Sequence, residues 1–332
     1  MNRISGIGLL LILMLSFWSV DCRQSIGNEK DHGEKAFVII ERTVLDGIYS
    51  ASGMAAIPEG YLLACDDQQF LWQTDKSGRA NREIAVSEKR FEVGENGRVS
   101  KKVKRDFESI ASWKSGNQVN YFVFGSGSIS EKRSYVAKLS WKKQLISEGE
   151  FRLKNFYEKL MDIAEIDVDH LNIEGSTILG DQLILFNREL GIVFWMDFKE
   201  FEAYWESGGE NHCPEIQTKR FELPLAGTVQ TGFSGASTAN SKQVWFSASA
   251  EDTKNWIDDG PVAGSYIGWI NHLTSDDIAE IQSYPVLNEA GEFTSDKIEA
   301  FSILDAKSEH PRVLAVTDSD GGVSEMLLLE LR

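Results

Sequence analysis

Short apolar runs, each ended by a turn rich in Gly, Asp or Asn, follow one another along most of this chain. The first is Ala36 to Val44, built on Phe37, Val38, Ile39 and Ile40. Runs of four to eight residues with this make-up predict strands. They fall into units that open on one phrase: Ala51-Ser52-Gly53-Met54, Phe107-Glu108-Ser109-Ile110, Ile173-Glu174-Gly175-Ser176, Phe233-Ser234-Gly235-Ala236 and Ile298-Glu299-Ala300-Phe301. The second positions of these phrases stand 56, 66, 60 and 65 residues apart. A near-regular period of this size predicts repeated supersecondary units.

Each phrase opens an apolar strand. A turn, a second strand, a loop and a third strand follow. In the first unit the turn is Pro58-Glu59-Gly60, the second strand Tyr61 to Cys65, the third Phe70 to Thr74, and a fourth lies near Glu83 to Val86. The second strands of the later units are Tyr121 to Phe124, Leu183 to Phe186, Val244 to Ala248 and Val313 to Val316. The pattern predicts an all-β fold, a single β-propeller of five four-stranded blades. The fifth unit runs out of chain after its third strand, Met326 to Leu331. The run Ala36 to Val44 is expected to supply its fourth and close the ring, which removes exposed strand edges. A sixth blade would arise if Asn271 to Asp296 folded as more than a connection.

Two segments break the strand pattern. Leu153, Phe156, Tyr157, Leu160 and Met161 follow helical spacing, which predicts an amphipathic helix over Arg152 to Ala164. Phe198, Phe201 and Trp205 predict a shorter helix over Asp197 to Glu206. Both are expected to pack on the side of the propeller. Ser207 to Gln217 reads as a loop.

Charge narrows the function. The 332 residues carry a formal net charge of −17. Such a surface repels phosphate backbones and anionic lipid, so nucleic-acid binding is set aside, while solubility and cation binding are favoured. At the N-terminus Arg3 precedes an apolar stretch from Ile7 to Val20, too short for a comfortable membrane span, and polar sequence follows. The expected organisation is a signal segment over residues 1–22, a flexible tether over 23–35 and the propeller over 36–332. Cys22 stands where a bacterial lipoprotein carries its lipid, although Val20 and Asp21 depart from the usual small residues there. The expected location is therefore the cell envelope, as a lipoprotein, with a cleaved, soluble secreted form as the alternative. A monomer is expected. Cys65 and Cys213 are left either to form a disulfide or to stay as free thiols.

Propeller geometry places the candidate chemistry. The inner strand of a blade starts on one face of the disc, and the second strand returns to it. The phrase residues Asp106, Glu108, Asn172, Glu174, Lys297 and Glu299 should therefore meet the strand ends Asp66, Asp67, Asn187, Arg188, Glu251, Asp252, Asp318, Ser319 and Asp320 around one axis. Carboxylates crowded together raise one another's pKa unless a cation neutralises them. Glu108, Glu174 and Glu299 are thus candidate ligands for Ca²⁺, a hard cation that prefers oxygen. The alternatives are bonds between blades and direct binding of a polar ligand. Arg133 and Arg188 are the cationic candidates at this rim. Gly125-Ser126-Gly127-Ser128 is read as a tight turn in preference to a nucleophile or an anion nest. His170 is the histidine placed to act as an acid or base. The polar stretch Ala250 to Ser265 is long enough to cap the funnel.

Four phrases in order carry a family resemblance. They are Asp106-Phe107-Glu108-Ser109-Ile110 with Phe124 to Ser128, Asn172-Ile173-Glu174-Gly175, Ala250-Glu251-Asp252-Thr253 through Gly264-Ser265, and Lys297-Ile298-Glu299-Ala300 with Val316 to Asp320. Together they resemble an uncharacterised family of bacterial envelope β-propellers over about residues 36–332. That family is distantly similar to the phytase-like propellers. The resemblance implies a propeller in the envelope and, through the distant link, a metal-dependent hydrolase of phosphate esters, esters or lactones. Ser52 and Ser234 depart from the phytase-like phrase, as does Ala300. Two expectations follow: a propeller that binds a small ligand or partner at its acidic axial face, and, as the alternative, a Ca²⁺-dependent hydrolase using the same face.

Overall fold

Ring closure in this protein joins its first strand to its last three. In the computed structural model, the described residues are 35–332 apart from 88, 95–96, 129–130, 253–259, 276–277 and 320–321. The signal segment, Cys22 and most of the tether lie outside them. The opening strand β1 (Phe37–Tyr49) precedes the first blade, formed by β2 (Ala51–Ile57), β3 (Gly60–Cys65), β4 (Phe70–Asp75) and β5 (Ala80–Ala85). The second blade is β6 (Phe107–Ser115), β7 (Gln118–Gly125), β8 (Tyr135–Trp141) and β9 (Leu145–Arg152). The third is β10 (Ile173–Leu179), β11 (Gln182–Asn187), β12 (Ile192–Asp197) and β13 (Ile216–Arg220).

A short hairpin, β14 (Leu225–Ala226) and β15 (Val229–Gln230), leads to the fourth blade: β16 (Gly232–Asn240), β17 (Gln243–Glu251), β18 (Val262–Asn271) and β19 (Glu280–Leu287). The segment Asn271 to Asp296 thus yields this blade's fourth strand, β19, and no sixth blade. The last blade is β20 (Lys297–Asp305), β21 (Arg312–Asp318) and β22 (Val323–Leu331), completed by β1 antiparallel to β22. β1 also touches β19 in parallel at Phe37 and Val38, so the fourth and fifth blades share one continuous sheet.

Alternation along each strand welds the blades. On β7, Tyr121 and Val123 join a core with Leu62 and Ile84 of the first blade, while Phe122 and Phe124 face Leu183 and Phe194 of the third. Successive side chains point to opposite faces of a sheet, and here both faces are buried. That is why the strands read as continuous apolar runs. Three more interfaces follow the same rule: Phe186 with Phe246, Trp245 with Phe301, and Val316 with Met54. The last joins the fifth blade to the first and closes a ring of five.

The helices lie as expected, with starts slightly inward. α1 (Lys154–Ala164) and α2 (Phe198–Glu206) bury Phe156, Tyr157, Leu160, Phe201, Tyr204 and Trp205 against the core between the second and third blades. Asp197 caps α2, its carboxylate accepting from the Glu200 N–H at 2.9 Å. The segment expected as a loop up to Gln217 is shortened, because Ile216 and Gln217 begin β13. Cys65 and Cys213 are both free thiols, so the disulfide alternative falls.

Candidate functional site: an axial cavity of paired charges

Every recurring phrase carries a β-bulge at its second position. The register between inner and second strand slips between Ala51 and Gly53, Phe107 and Ser109, Ile173 and Gly175, Phe233 and Gly235, and Ile298 and Ala300. A bulge leaves one residue outside the ladder and re-aims its side chain. The residues so released are Ser52, Glu108, Glu174, Ser234 and Glu299. The third position explains the glycines. A Cβ on Gly235 would lie 2.4 Å from the Glu299 carbonyl oxygen, and one on Gly53 would lie 3.0 Å from the Glu108 carbonyl oxygen. The inner strands of the first and fourth blades thus lean their third residue on the next blade's bulge.

The bulges open on an axial cavity of about 1110 Å³. Of the residues expected there, Asp106, Glu108, Asn172, Glu174, Arg133, Arg188, Glu251, Glu299 and Asp318 all line it. Asp252 does not. It is exposed on the rim, with its N–H donating to the Pro261 carbonyl at 3.0 Å. Ser234 also turns away, its hydroxyl donating to the Ile298 carbonyl at 2.5 Å. Asp320 and the middle of the proposed capping segment, residues 253–259, lie outside the described residues, and the segment's two ends belong to β17 and β18.

Cations of the chain itself are threaded between the carboxylates. Arg188 reaches Glu174 at 3.3 Å and also pairs with Glu251. Lys297 lies 2.9 Å from Glu299 and 3.1 Å from Glu251. Lys104 lies 2.5 Å from Asp106 and pairs with Asp66. Arg133 lies 3.0 Å from Asp106, and Arg98 lies 2.8 Å from Asp67. Asn172 Nδ2 donates to Glu174 Oε1 at 2.6 Å.

Some carboxyl oxygens are left over, among them Asp66 Oδ1 and Asp67 Oδ1. Glu108 is 8% exposed, and among the described residues its carboxyl has no hydrogen bond or ion pair. Glu299 is 2% exposed, and its Oε2 has no partner. Burial pushes Glu299 up to about 8 despite Lys297, and burial with Glu174 and Asp106 nearby holds Glu108 well above the usual carboxylate range. Glu299 is therefore largely protonated at neutral pH. Burial raises Glu174 as well, against the pull of Arg188. Asp106 stays below its ordinary value: burial opposes this, but Lys104 and Arg133 prevail. Asp67 is lifted to about 6 by burial and by Asp66.

The expected metal triad takes a different shape. Among the described residues, the carboxyls that converge within 4.8 Å are Asp66, Asp106 and Glu108. Glu174 and Glu299 are not part of that group. Lys104 already supplies a positive charge to two of its members.

Gly125 to Ser128 is a turn, as expected. The Ser126 N–H donates to the Asp106 carbonyl at 2.9 Å, and Ser126 is fully buried with its hydroxyl on the Asp106 carboxylate. Gly127 has φ +75°, and a Cβ there would meet the Tyr157 ring at 2.3 Å. His170 stands at the rim, exposed, with Nδ1 2.6 Å from buried Glu189, which raises it above its ordinary value.

Lys104 and Arg98 are the residues that sequence reasoning missed. A signal was present: Lys101-Lys102-Val103-Lys104-Arg105 is a basic run in an acidic chain, immediately before Asp106-Phe107-Glu108.

Fold and cavity define a β-propeller with a polar axial pocket. The chain belongs to a family of unknown function, DUF6929, which it matches over residues 47–331. No curated protein matches it. Among solved structures it is similar to a glutaminyl cyclase from Myxococcus xanthus, with 10% identity over 90% of this chain and 98% of that one, TM-score 0.47. It is also similar to a PQQ-bound aldose sugar dehydrogenase from Streptomyces coelicolor, with 13% identity over 90% and 99% of the chains, TM-score 0.41. An exo-beta-1,3-galactanase from Phanerochaete chrysosporium gives 8% identity over 87% of this chain and 64% of that one, TM-score 0.45.

Proposed function

We propose that this protein is a small-ligand-binding propeller of the cell envelope, held there by its N-terminal segment, with the axial cavity as its binding site. The observation that carries the reading is unpartnered acid on the wall of that cavity: Glu299 Oε2, buried without a hydrogen bond, and Glu108, a buried residue whose carboxyl makes no hydrogen bond or ion pair among the described residues. Leaving a buried polar group unpaired costs about 1–3 kcal/mol, and a ligand that bonds to it recovers that cost. The internal ion pairs keep the remaining polar groups fixed before a ligand arrives, which lowers the ordering cost of binding.

The test is a thermal-shift screen of the full-length protein against small polar metabolites, repeated on Glu108→Gln and Glu299→Gln. Hits are expected to lose at least tenfold in affinity in one or both variants. Hits unaffected by either variant overturn the assignment of the cavity.

The group Asp66, Asp106 and Glu108 favours a second reading, a Ca²⁺-dependent hydrolase of the phytase-like kind. There a metal would hold and activate water. It requires Ca²⁺ to compete with Lys104. Metal-dependent turnover of phosphate esters or lactones, abolished in Asp106→Asn, is the result that would establish it.

A further inference from the structure

The cavity is walled by charged groups and is nevertheless close to charge balance. Among the described residues its lining holds eleven acids and eight cations, in a chain whose formal net charge is −17. Burial opposes ionisation of two of those acids, Glu299, pushed up to about 8, and Glu108, held well above the usual carboxylate range. The balance is also local. Arg188 and Lys297 share Glu174, Glu251 and Glu299, while Lys104, Arg133 and Arg98 are paired with carboxyls on the opposite side. The wall still keeps a spare donor and a spare acceptor in its buried part, Arg188 Nε and Glu299 Oε2, neither of which has a hydrogen-bond partner. A second feature is compositional. The described lining contains no Phe, Tyr, Trp or His, although aromatic residues make up 11% of the chain.

We propose that the ligand is a small neutral polyol, a sugar alcohol, cyclitol or monosaccharide, held by hydrogen bonds from its hydroxyls to the ion-paired wall. This rests on the reading of the cavity as a ligand site. Each hydroxyl donates one hydrogen bond and accepts up to two. Neighbouring hydroxyls therefore suit a surface on which carboxylate oxygens and guanidinium or ammonium N–H groups alternate. A charged ligand suits it less. An anion would meet the surplus of acids, and a cation would have to compete with Arg188, Lys297 or Lys104 for carboxyls they already hold. Either would bring a buried charge without a new counter-charge, which is costly. A ligand with a broad apolar face would find no aromatic ring to lie against. The volume of about 1110 Å³ is ample for a six-carbon polyol and its bound water.

Titration calorimetry on the full-length protein at pH 7 tests this. The neutral probes are sorbitol, myo-inositol, glucose and galactose, which separate the open-chain, cyclitol and pyranose forms. The charged counterparts are glucosamine, glucose 6-phosphate and galacturonate. At least one neutral probe is expected to bind, tenfold or more tighter than every charged counterpart. Lys297→Met takes one cation out of the wall and should shift the preference at least tenfold from that neutral probe towards glucosamine. Equal weakening of both contradicts the charge-balance argument. The comparison within the native protein stands even if that variant does not fold. Tighter binding of a charged counterpart to the native protein overturns the polyol while the cavity remains a ligand site. Silence from this panel also overturns the polyol, and silence from the metabolite screen as well overturns the cavity.

Discussion

Lys104 Nζ lies 2.5 Å from Asp106 Oδ1 in the wall of the axial cavity. Burial alone would lower the lysine, but Asp106 and Asp66 hold it above its usual range, so it stays charged. The protein therefore carries a cation of its own beside the carboxyls that converge most closely. Lys104→Met removes that competitor. Its melting temperature should rise with millimolar Ca²⁺, whereas that of the native protein should rise far less. An equal response in both proteins means that Lys104 does not guard the site.

Glu299 makes stability depend on pH. Its carboxyl is pushed up to about 8 in the fold, against an ordinary value of 4.5. Between these values the folded state holds a proton that the unfolded chain has released. Stability from this group is therefore full below about pH 4.5 and is lost as pH rises towards 8. Glu299→Gln should be more stable than the native protein, by on the order of 1–3 kcal/mol at pH 9 and by little at pH 5. Urea unfolding at the two pH values measures it, and a gap that does not grow with pH contradicts the account.

Arg188 is the buried cation shared by Glu174 and Glu251. Removing one partner of a buried pair leaves an uncompensated charge and costs about 3–5 kcal/mol. Arg188→Met should lose stability of that order in denaturant unfolding. Adding Glu174→Gln and Glu251→Gln should recover much of it. A triple variant no more stable than the single one would show that Arg188 acts through packing instead.

Gly235 tests the closeness of the ring. A Cβ there would stand 2.4 Å from the Glu299 carbonyl oxygen. Gly235→Ala forces the fourth and fifth blades apart and should cost about 1–3 kcal/mol. The corresponding position in the second blade is Ser109, which tolerates a side chain, so Ser109→Ala should be near neutral by the same melting assay.

The inner three strands of each blade were legible in the sequence because they are buried on both faces. Ser-Ala-Ser-Ala among the aromatics of β17 still reads as strand for that reason. The outer strands β9 and β13 were not legible. Leu145–Arg152 and Ile216–Arg220 are largely exposed, so their residues are free to be polar and carry no apolar run. The site followed the fold: strand-start and strand-end logic placed Asp66, Asp67, Asp106, Glu108, Asn172, Glu174, Arg188, Glu251, Lys297, Glu299 and Asp318 on one cavity, while Asn187, Asp252 and Ser319 fall outside its lining. Asp252 missed because it lies one residue past the end of β17, beyond the last ladder position that faces the axis. Lys104 was missed because it precedes the phrase, on a connection whose path no repeat predicts.

The pairing of β1 with β22 sets an order of events. Ala36 and Arg332 exchange backbone hydrogen bonds of 3.0 and 2.9 Å, so the start of β1 and the end of β22 lie side by side. The last blade consists of segments from opposite ends of the polypeptide. A chain emerging from a ribosome or a translocation channel cannot assemble that blade until β22 has emerged. Phe37–Tyr49 must stay unpaired and soluble through the whole interval, which the exposed Glu41, Arg42, Asp46 and Gly47 along it favour. Once latched, the seam also makes the point of chain entry movable. A short linker from Arg332 to Lys35, with new ends between exposed Lys76 and Ser77, should give a permuted chain with the same ring and the same cavity.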